Sequence, residues 1–216
     1  MNRARNWWMA IGAAIILASV PMRVSPAAAS SSGPGGLSTA EGHALPVGVH
    51  TPSAAERRAL PASLRSVAAA ISYPVYVWNN RSVKCMEVYG GATANGSKVD
   101  QWTCNRTSHQ KWTFIAVGDF NVRWLAVNVK SGRCLDTTNN HADGVQMTIW
   151  SCSSSNANQL FYRFATDSTG YRWTLRPQWG TTKCVEVYHS SLLNGAIVDH
   201  YACNGTQTQV WSQSQA

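Results

Sequence analysis

The sequence predicts an all-β fold built from three similar units, and three observations support this. From Tyr73 onward, six cysteines form pairs 18 or 19 residues apart, and the first cysteines of successive pairs are 49 and 50 residues apart. Short runs rich in β-branched and aromatic residues alternate with turn dipeptides about every 8–12 residues, which is typical of a barrel or sandwich. Apart from the N-terminal 20 residues, the chain has no long apolar stripe of helical period.

The composition fits such a protein. Hydrophobic residues make up 44% of the 216 residues and charged residues only 13%, and ten residues are tryptophan. The net charge is +8, with six arginines against two glutamates up to residue 71 and twelve basic against eight acidic residues after it. Because the basic residues form no run or stripe, nucleic-acid binding is not predicted.

The first 29 residues have the pattern of a secretory signal peptide. Arg3 and Arg5 precede the apolar run 7–20, and three alanines end at Ala29. We therefore expect a secreted protein, cleaved after Ala29, whose cysteines are oxidised. The alternative is an uncleaved membrane anchor, but the run is shorter than the roughly 20 residues that span a bilayer. No stable membrane span is expected after cleavage.

Residues 30–71 are predicted to be a flexible linker or a propeptide, and residues 72–216 the folded domain. The segment begins with a stretch rich in serine, glycine and proline, which is typical of flexible chains. Ser53 and Glu56 have capping-box spacing, so a short helix is expected to begin there and to end before Pro61. The apolar tetrapeptide at the end of the segment is too short to bury much surface alone.

Several positions keep the same phase as the cysteines in all three units. A basic residue precedes each first cysteine, and an acidic residue follows that cysteine by two positions. A turn dipeptide begins nine residues before each second cysteine and an aromatic residue stands two before it, after which a Gln-x-aromatic sequence closes the unit. In unit order these are Lys84, Arg133 and Lys183; Glu87, Asp136 and Glu186; Asn95-Gly96, Asp143-Gly144 and Asn194-Gly195; Trp102, Trp150 and Tyr201; and Gln110-x-Trp112, Gln159-x-Phe161 and Gln209-x-Trp211.

Six cysteines allow 15 pairings, and the sequence alone does not choose among them. The symmetry of the units favours one disulfide within each unit. Such a bond would close a loop of about 20 residues and contribute about 3 kcal/mol in chain-entropy terms. These pairs are Cys85–Cys104, Cys134–Cys152 and Cys184–Cys203. Because the chain has no Cys-x-x-Cys motif or histidine cluster, no metal and no cofactor is predicted.

The repeated pattern resembles the ricin B-chain-type lectin domain. Cys-x-Asp/Glu, a turn, aromatic-x-Cys and Gln-x-aromatic follow one another three times over residues 73–216. The resemblance implies a β-trefoil, in which three four-stranded units surround a pseudo-threefold axis and form a six-stranded barrel closed by hairpins. It also implies that Trp112, Phe161 and Trp211 pack in the core.

The resemblance further implies one shallow sugar pocket in each unit. A carboxylate accepts hydrogen bonds from sugar hydroxyls, an aromatic ring covers the C–H face of the sugar, and an Asn-Gln pair completes the pocket. The middle unit matches this pattern best. The predicted carbohydrate-binding residues are Asp136, Trp150, Asn158 and Gln159 in the middle unit, Glu87, Trp102 and Gln110 in the first, and Glu186, Tyr201 and Gln209 in the third.

The first and third units depart from the pattern. Their carboxylate is Glu, which extends one methylene farther than Asp, and His109 and Thr208 take the asparagine position. Asp100 and Asp199 stand where the family has glutamine and where the middle unit has Thr148. We expect these two sites to be altered or inactive.

The resemblance implies a monomeric lectin-like module for galactose- or xylan-type glycans, and two alternatives stay open. One is a trefoil scaffold that binds a protein partner, as an inhibitor or a cell-surface interaction module. The other is a small glycosidase, because two nearby carboxyls can hydrolyse glycosides and the first and third units each carry such a pair. The pairs follow the repeat, so an architectural role is favoured and no enzyme is predicted. Lys84 and Lys183 are expected to neutralise them.

Overall fold

The structure is a computed structural model that describes residues 48–118 and 123–216. The predicted signal peptide and residues 30–47 lie outside the described residues. The strands are β1 (Ala68–Ile71), β2 (Val75–Asn79), β3 (Cys85–Val88), β4 (Ser97–Trp102), β5 (Lys111–Val117), β6 (Arg123–Asn128), β7 (Cys134–Asp136), β8 (Val145–Gln146), β9 (Thr148–Trp150), β10 (Phe161–Ala165), β11 (Trp173–Pro177), β12 (Lys183–Val187), β13 (Ala196–Ala202) and β14 (Trp211–Gln215).

One α-helix, α1 (Ala54–Ala59), precedes the strands and begins as the sequence predicts. The Ser53 hydroxyl accepts a hydrogen bond from the Glu56 backbone N–H at 3.2 Å, and the Glu56 carboxylate accepts one from the Ser53 backbone N–H at 2.8 Å. The helix ends at Leu60, directly before Pro61. Within the part of the chain that the structure describes, no helix combines the length and the apolar character that crossing a membrane requires.

Six strands close into a barrel. Going round the ring, the antiparallel neighbours are β2, β5, β6, β10, β11, β14 and again β2. Each unit therefore supplies its first and last strand: β2 and β5, β6 and β10, and β11 and β14. A closed ring leaves no unpaired strand edge. This arrangement is the all-β trefoil that the family resemblance implies.

Three hairpins, one from each unit, form a second layer beside the barrel. They are β3–β4, β7–β9 and β12–β13. The hairpins also pair with one another, because β4 contacts β9 and β13, and β13 contacts β8. This triangle of hairpins carries all the predicted pocket carboxylates and aromatic residues.

The disulfides and the core follow the predicted symmetry. Each unit contains its own disulfide, as expected, with a Cα–Cα distance of 5.0 Å in all three. Trp112, Phe161 and Trp211 are completely buried in the barrel, which confirms their structural role. The indole N–H groups of Trp112 and Trp211 donate to the backbone carbonyls of Met86 and Val185, at 3.0 and 2.8 Å.

Residues 48–71, called the N-terminal segment, cover the outer faces of β5 and β6 where the first and middle units meet. The prediction of a flexible linker or propeptide over residues 30–71 did not include this packing. Strand β1 pairs with β5, and the Ser63 hydroxyl donates to the carbonyl of Cys152 at 2.7 Å. Leu64 and Ile71 are buried in a second apolar cluster formed by the outer faces of β5 and β6 and by the middle disulfide. The physical reason is that β5 and β6 are apolar on both faces, so the outer face needs a cover.

Candidate functional site

One pocket brings together all four residues predicted for the middle unit. Asp136, Trp150, Asn158 and Gln159 line a cavity of about 350 Å³. Asp136 ends β7 and Trp150 ends β9, and these two strands pair as one hairpin. The Trp150 side chain is 44% exposed although it ends a paired strand, so the face of its indole is available to a ligand.

The carboxylate of Asp136 is held from both sides. Its Oδ2 accepts a hydrogen bond from Nε2 of Gln159 at 2.9 Å, and its Oδ1 accepts one from the backbone N–H of Thr138 at 2.6 Å. The same Gln159 amide donates to the Ser151 carbonyl and accepts from the Ser153 backbone N–H. Gln159 is buried, so it orients Asp136 from the floor of the pocket.

In the first and third units a glutamine side chain also donates a hydrogen bond to the pocket carboxylate. Nε2 of Gln110 donates to Oε2 of Glu87 at 2.7 Å, and Nε2 of Gln209 donates to Oε2 of Glu186 at 2.7 Å. Both glutamines are buried, as Gln159 is. The glutamine of each Gln-x-aromatic sequence therefore fixes the pocket carboxylate of its own unit.

Asn158 is held by residues that the sequence reasoning missed. Its Oδ1 lies 3.0 Å from Nε2 of His141, and its Nδ2 donates to Oδ1 of Asn139 at 2.6 Å. The His141 ring stacks on Trp179 of the third unit, with centroids 3.7 Å apart and an interplanar angle of 4°. The Trp179 indole N–H donates to the Thr137 hydroxyl at 2.8 Å. These residues lie in loops outside the repeated positions, so the repeat does not predict them.

The turn of each unit forms a wall of the pocket in the next unit. Gly96 of the first unit lines the middle pocket, and a carbon atom added to it would lie 3.8 Å from the Trp150 ring. Gly195 of the third unit stands in the same relation to Trp102 of the first. Both glycines have a φ near +79°, a left-handed conformation that favours glycine. Each pocket is thus shared between two units.

The basic residues before the first cysteines of the middle and third units bind the turn of the preceding unit. Lys183 forms a salt bridge with Asp143 in the turn of the middle unit, and Arg133 donates to Oδ1 of Asn95 at 2.5 Å. Lys84 donates to the Thr103 hydroxyl at 3.3 Å. The expectation that Lys84 and Lys183 neutralise the carboxyl pairs of their own units is therefore wrong, because their polar contacts lie elsewhere.

The first and third units each contain two opposed carboxyl groups. Strand register places Glu87 opposite Asp100 and Glu186 opposite Asp199, whereas Asp136 faces Thr148. Asp100 and Asp199 are 1% and 0% exposed, and among residues 48–118 and 123–216 no other residue forms a hydrogen bond with their carboxyl oxygens. Burial, and then the facing glutamate, raise the pKa of Asp100 to about 7 and that of Asp199 to about 8.

The closed six-stranded ring, the triangle of hairpins and the carboxylate–aromatic pocket define a trefoil protein of the lectin type. Residues 71–150 and 119–201 both match the family described as "Ricin-type beta-trefoil lectin domain-like". These matches cover more than half of the chain, which therefore belongs to this family.

Similar proteins include lectins and one enzyme. A seed lectin of Trichosanthes anguina is 32% identical over 91 residues, which are 42% of this chain and only 16% of that lectin. The designed threefold-symmetric protein ThreeFoil has a TM-score of 0.61 and 24% identity over 66% of this chain and 99% of its own. An exo-beta-1,3-galactanase of Clostridium thermocellum also scores 0.61, with 26% identity over 67% of this chain and 30% of the enzyme. The Macrolepiota procera ricin B-like lectin, in complex with lactose, scores 0.56 with 12% identity over 66% of this chain and 95% of the lectin.

Proposed function

We propose that this protein is a secreted carbohydrate-binding module whose principal site is the middle pocket. The observation that carries the proposal is the convergence of Asp136, Trp150 and Asn158 on one cavity of about 350 Å³. An exposed indole face covers the C–H groups of a sugar ring, and an ionised carboxylate makes strong hydrogen bonds to hydroxyls. Because Gln159 and Thr138 already orient the Asp136 carboxylate, this side chain loses little conformational freedom when a sugar binds.

Galactose-type sugars are the first ligands to test. The Macrolepiota lectin is in complex with lactose, and the galactanase acts on a galactose polymer, which supports this choice. Xylan-type glycans are the second class, as the family resemblance implies. A single shallow pocket is expected to bind near the millimolar range, about 4 kcal/mol.

A binding function is favoured over glycoside hydrolysis. Hydrolysis needs two carboxyl groups that both reach the glycosidic bond region. The carboxyls of Asp100 and Asp199 are buried, and the middle unit has Thr148 at that position. The galactanase is matched over only 30% of its length. We therefore assign binding, without catalysis, to these pockets.

A trefoil scaffold for a protein partner is the second candidate. Leu192 and Leu193 favour it, because they are 53% and 74% exposed in the loop after β12. Exposed large apolar side chains of this kind often contribute to protein interfaces.

Retention on immobilised lactose and on xylan tests the proposal. Trp150→Ala and Asp136→Ala should each abolish the retention seen with the natural sequence. Trp102→Ala is the matched control, because it removes the equivalent aromatic residue of the first unit and should leave most of the retention intact. Unchanged retention of both middle-unit variants would contradict the proposal. No retention of any variant, together with capture of a protein partner that depends on Leu193, would favour the scaffold.

A further inference from the structure

The pocket face of the third unit differs in charge from that of the middle unit. Glu186 and Asp199 lie opposite each other on β12 and β13, and Tyr201 follows Asp199 by two positions on the same strand. Tyr201 and Tyr188 are both exposed aromatic residues beside this pair. The third unit therefore presents two carboxyls and two phenol rings where the middle unit presents one carboxylate and one indole.

The carboxyl of Asp199 is buried beside Gly144, in the turn of the middle unit. Asp199 is 0% exposed, and neither of its carboxyl oxygens has a hydrogen-bond partner from another of the described residues. A carbon atom added at Gly144 would lie 3.8 Å from its Oδ2 and 3.4 Å from the Tyr188 ring. The carboxyl thus borders the space between Gly144 and Tyr188. A buried acid left unpartnered is costly and calls for a compensating group.

A salt-bridged aspartate and lysine lie near this carboxyl pair. Burial is the main cause that raises the pKa of Glu186 and that of Asp199, and the charge of Asp143, in the turn of the middle unit, adds a smaller rise to both. Lys183 forms a salt bridge with Asp143 rather than with the pair, and His189 stacks on Tyr188 with centroids 3.8 Å apart. The titratable and charged groups that face the pair are Asp143, Lys183, Tyr188, His189, His200 and Tyr201.

We propose that the third unit binds a cationic amino sugar, with the ammonium group against Glu186 and the sugar ring on Tyr201. The inference rests on the proposed function, because it assumes that a sugar ring stacks on Tyr201 as one is proposed to stack on Trp150. Carboxylates beside aromatic faces are the combination that recognises ammonium groups. A metal ion is a poorer fit, since the described residues bring together no group of three His, Cys, Asp or Glu able to hold one. Asp199 does not touch the ligand and acts by adding charge behind Glu186.

The first unit has the same carboxyl pair but not the same surroundings. Nε2 of His109 lies 3.4 Å from Oε2 of Glu87. A carbon atom added at Gly91 would lie 2.5 Å from the Lys130 ammonium and 3.1 Å from the His109 ring, so Lys130 adds a positive charge to this region. A cationic ligand is therefore disfavoured there, and the first unit serves as an internal control for the third.

Binding at the third unit should release a proton. With a pKa of about 8, Asp199 keeps its proton at neutral pH in the free protein. An ammonium beside Glu186 favours the ionised form of both carboxyls, so the proton of Asp199 passes to solvent. Affinity for a permanently charged ammonium then rises between pH 6 and pH 8, by at most about tenfold per pH unit for one released proton.

Calorimetry on the full chain tests the inference with a glucosamine trimer, its N-acetylated neutral form and its N-trimethylated, permanently charged form. At pH 8 the natural sequence should bind the trimethylated trimer at least about tenfold more tightly than the neutral trimer, a difference of about 1.4 kcal/mol, whereas at pH 6 the glucosamine trimer should bind only modestly more tightly than the neutral trimer, because Asp199 is then largely protonated. The trimethylated trimer should bind more tightly as the pH rises to 8. Asp199→Thr, which introduces the residue of the middle unit, and the isosteric Asp199→Asn should remove most of this preference. Asp100→Thr in the first unit should keep it.

Two results would overturn the inference. One is equal affinity of the natural sequence for the charged and neutral trimers, and the other is a cationic preference that persists in both Asp199 variants, since that would indicate nonspecific charge attraction. Lactose retention of the same samples separates this test from that of the proposed function. Retained lactose binding without a cationic preference overturns only the amino-sugar site, whereas a cationic preference without lactose binding overturns only the middle site.

Discussion

The middle unit and its two neighbours share a backbone pattern, a disulfide and a buried glutamine, yet they differ on both of their surfaces. On the pocket side, Thr148 faces the carboxylate of the middle unit, whereas Asp100 and Asp199 face those of the other two. On the outer side, the N-terminal segment covers β5 and β6, together with the disulfide of the middle unit, through Leu64 and Ile71. The three units therefore share the residues that form the trefoil. They differ in the residues that line the pockets and in those that contact the N-terminal segment.

The outer faces of the other two units carry open grooves. The groove of the first unit, about 470 Å³, is lined by Tyr76, Trp78 and the Cys85–Cys104 disulfide. The groove of the third unit, about 340 Å³, is lined by Arg172, Arg176 and the Cys184–Cys203 disulfide. Polar and amphipathic side chains tolerate water at these faces, whereas the apolar outer face of β5 and β6 does not.

Removing the N-terminal segment should have the largest effect, and this effect is on stability. Deleting residues 1–71 exposes the apolar outer faces of β5 and β6, so we expect a large loss of thermal stability and a tendency to aggregate. Leu64→Ala, at a completely buried side chain, should cost about 2–5 kcal/mol in the free energy of unfolding. Denaturant titration measures both. Val67→Ala, at an exposed neighbour, is the control and should change little. An unchanged unfolding midpoint in Leu64→Ala would mean that the segment does not support the domain.

Removing the glutamine that orients the carboxylate should affect lactose binding differently in the middle and third units. Gln159→Ala leaves Asp136 without its buried donor, so we expect a loss of about 1–3 kcal/mol in stability and weaker lactose retention. Gln209→Ala should cost a similar amount of stability but leave lactose retention intact. Equal retention by the two variants would contradict the assignment of the principal site to the middle unit.

Replacing the buried acid of the third unit should change how stability depends on pH. The pKa of Asp199 is raised in the folded state, so its contribution is fully present below its unfolded pKa of about 3.9 and is lost as the pH rises through about 8. Asp199→Thr should therefore stabilise the protein relative to the natural sequence by about 1–3 kcal/mol at pH 8, and by less at pH 5. Unfolding midpoints at pH 5, 6.5 and 8 give the comparison. A constant difference across this range would show that Asp199 is not protonated at neutral pH.

The smallest expected effect concerns the disulfides. Cys152 is only 9% exposed beneath the N-terminal cover, whereas Cys104 is exposed and Cys203 is partly exposed. Mild reductant should therefore open the first and third disulfides before the middle one, because thiolate attack needs access to sulfur. Timed alkylation and mass spectrometry identify the order. Deleting residues 1–71 should abolish the difference, and faster reduction of Cys134–Cys152 in the complete chain would contradict the protective role of the cover.

The repeat predicts three similar all-β units, and the family resemblance carried by its recurring positions implies the trefoil and most of the middle pocket. Asp136, Trp150 and Gln159 occupy such positions, and Asn158 precedes one of them. The role of His141 could not be predicted, because its partner Trp179 lies in a loop of another unit and no periodic pattern connects them.

Two further features depend on information that a sequence pattern lacks. The apolar tetrapeptide 68–71 is too short to bury itself, and its burial becomes clear only when β5 is seen to be apolar on both faces. The raised pKa of Asp199 depends on strand register, which places it opposite Glu186, and on burial that removes its oxygens from water.

The glycine walls give the pockets a property that no single unit has. Since Gly96 completes the middle pocket, Gly144 the third and Gly195 the first, each pocket exists only where two units meet, and the three junctions form a closed cycle. A peptide of one unit would hold the carboxylate and the aromatic ring but only part of the wall. A circularly permuted chain whose new ends lie in a surface loop would still contain all three junctions and therefore all three pockets. Ligand recognition in this protein is therefore a property of the assembled ring, and the order of the units determines which neighbour shapes which pocket.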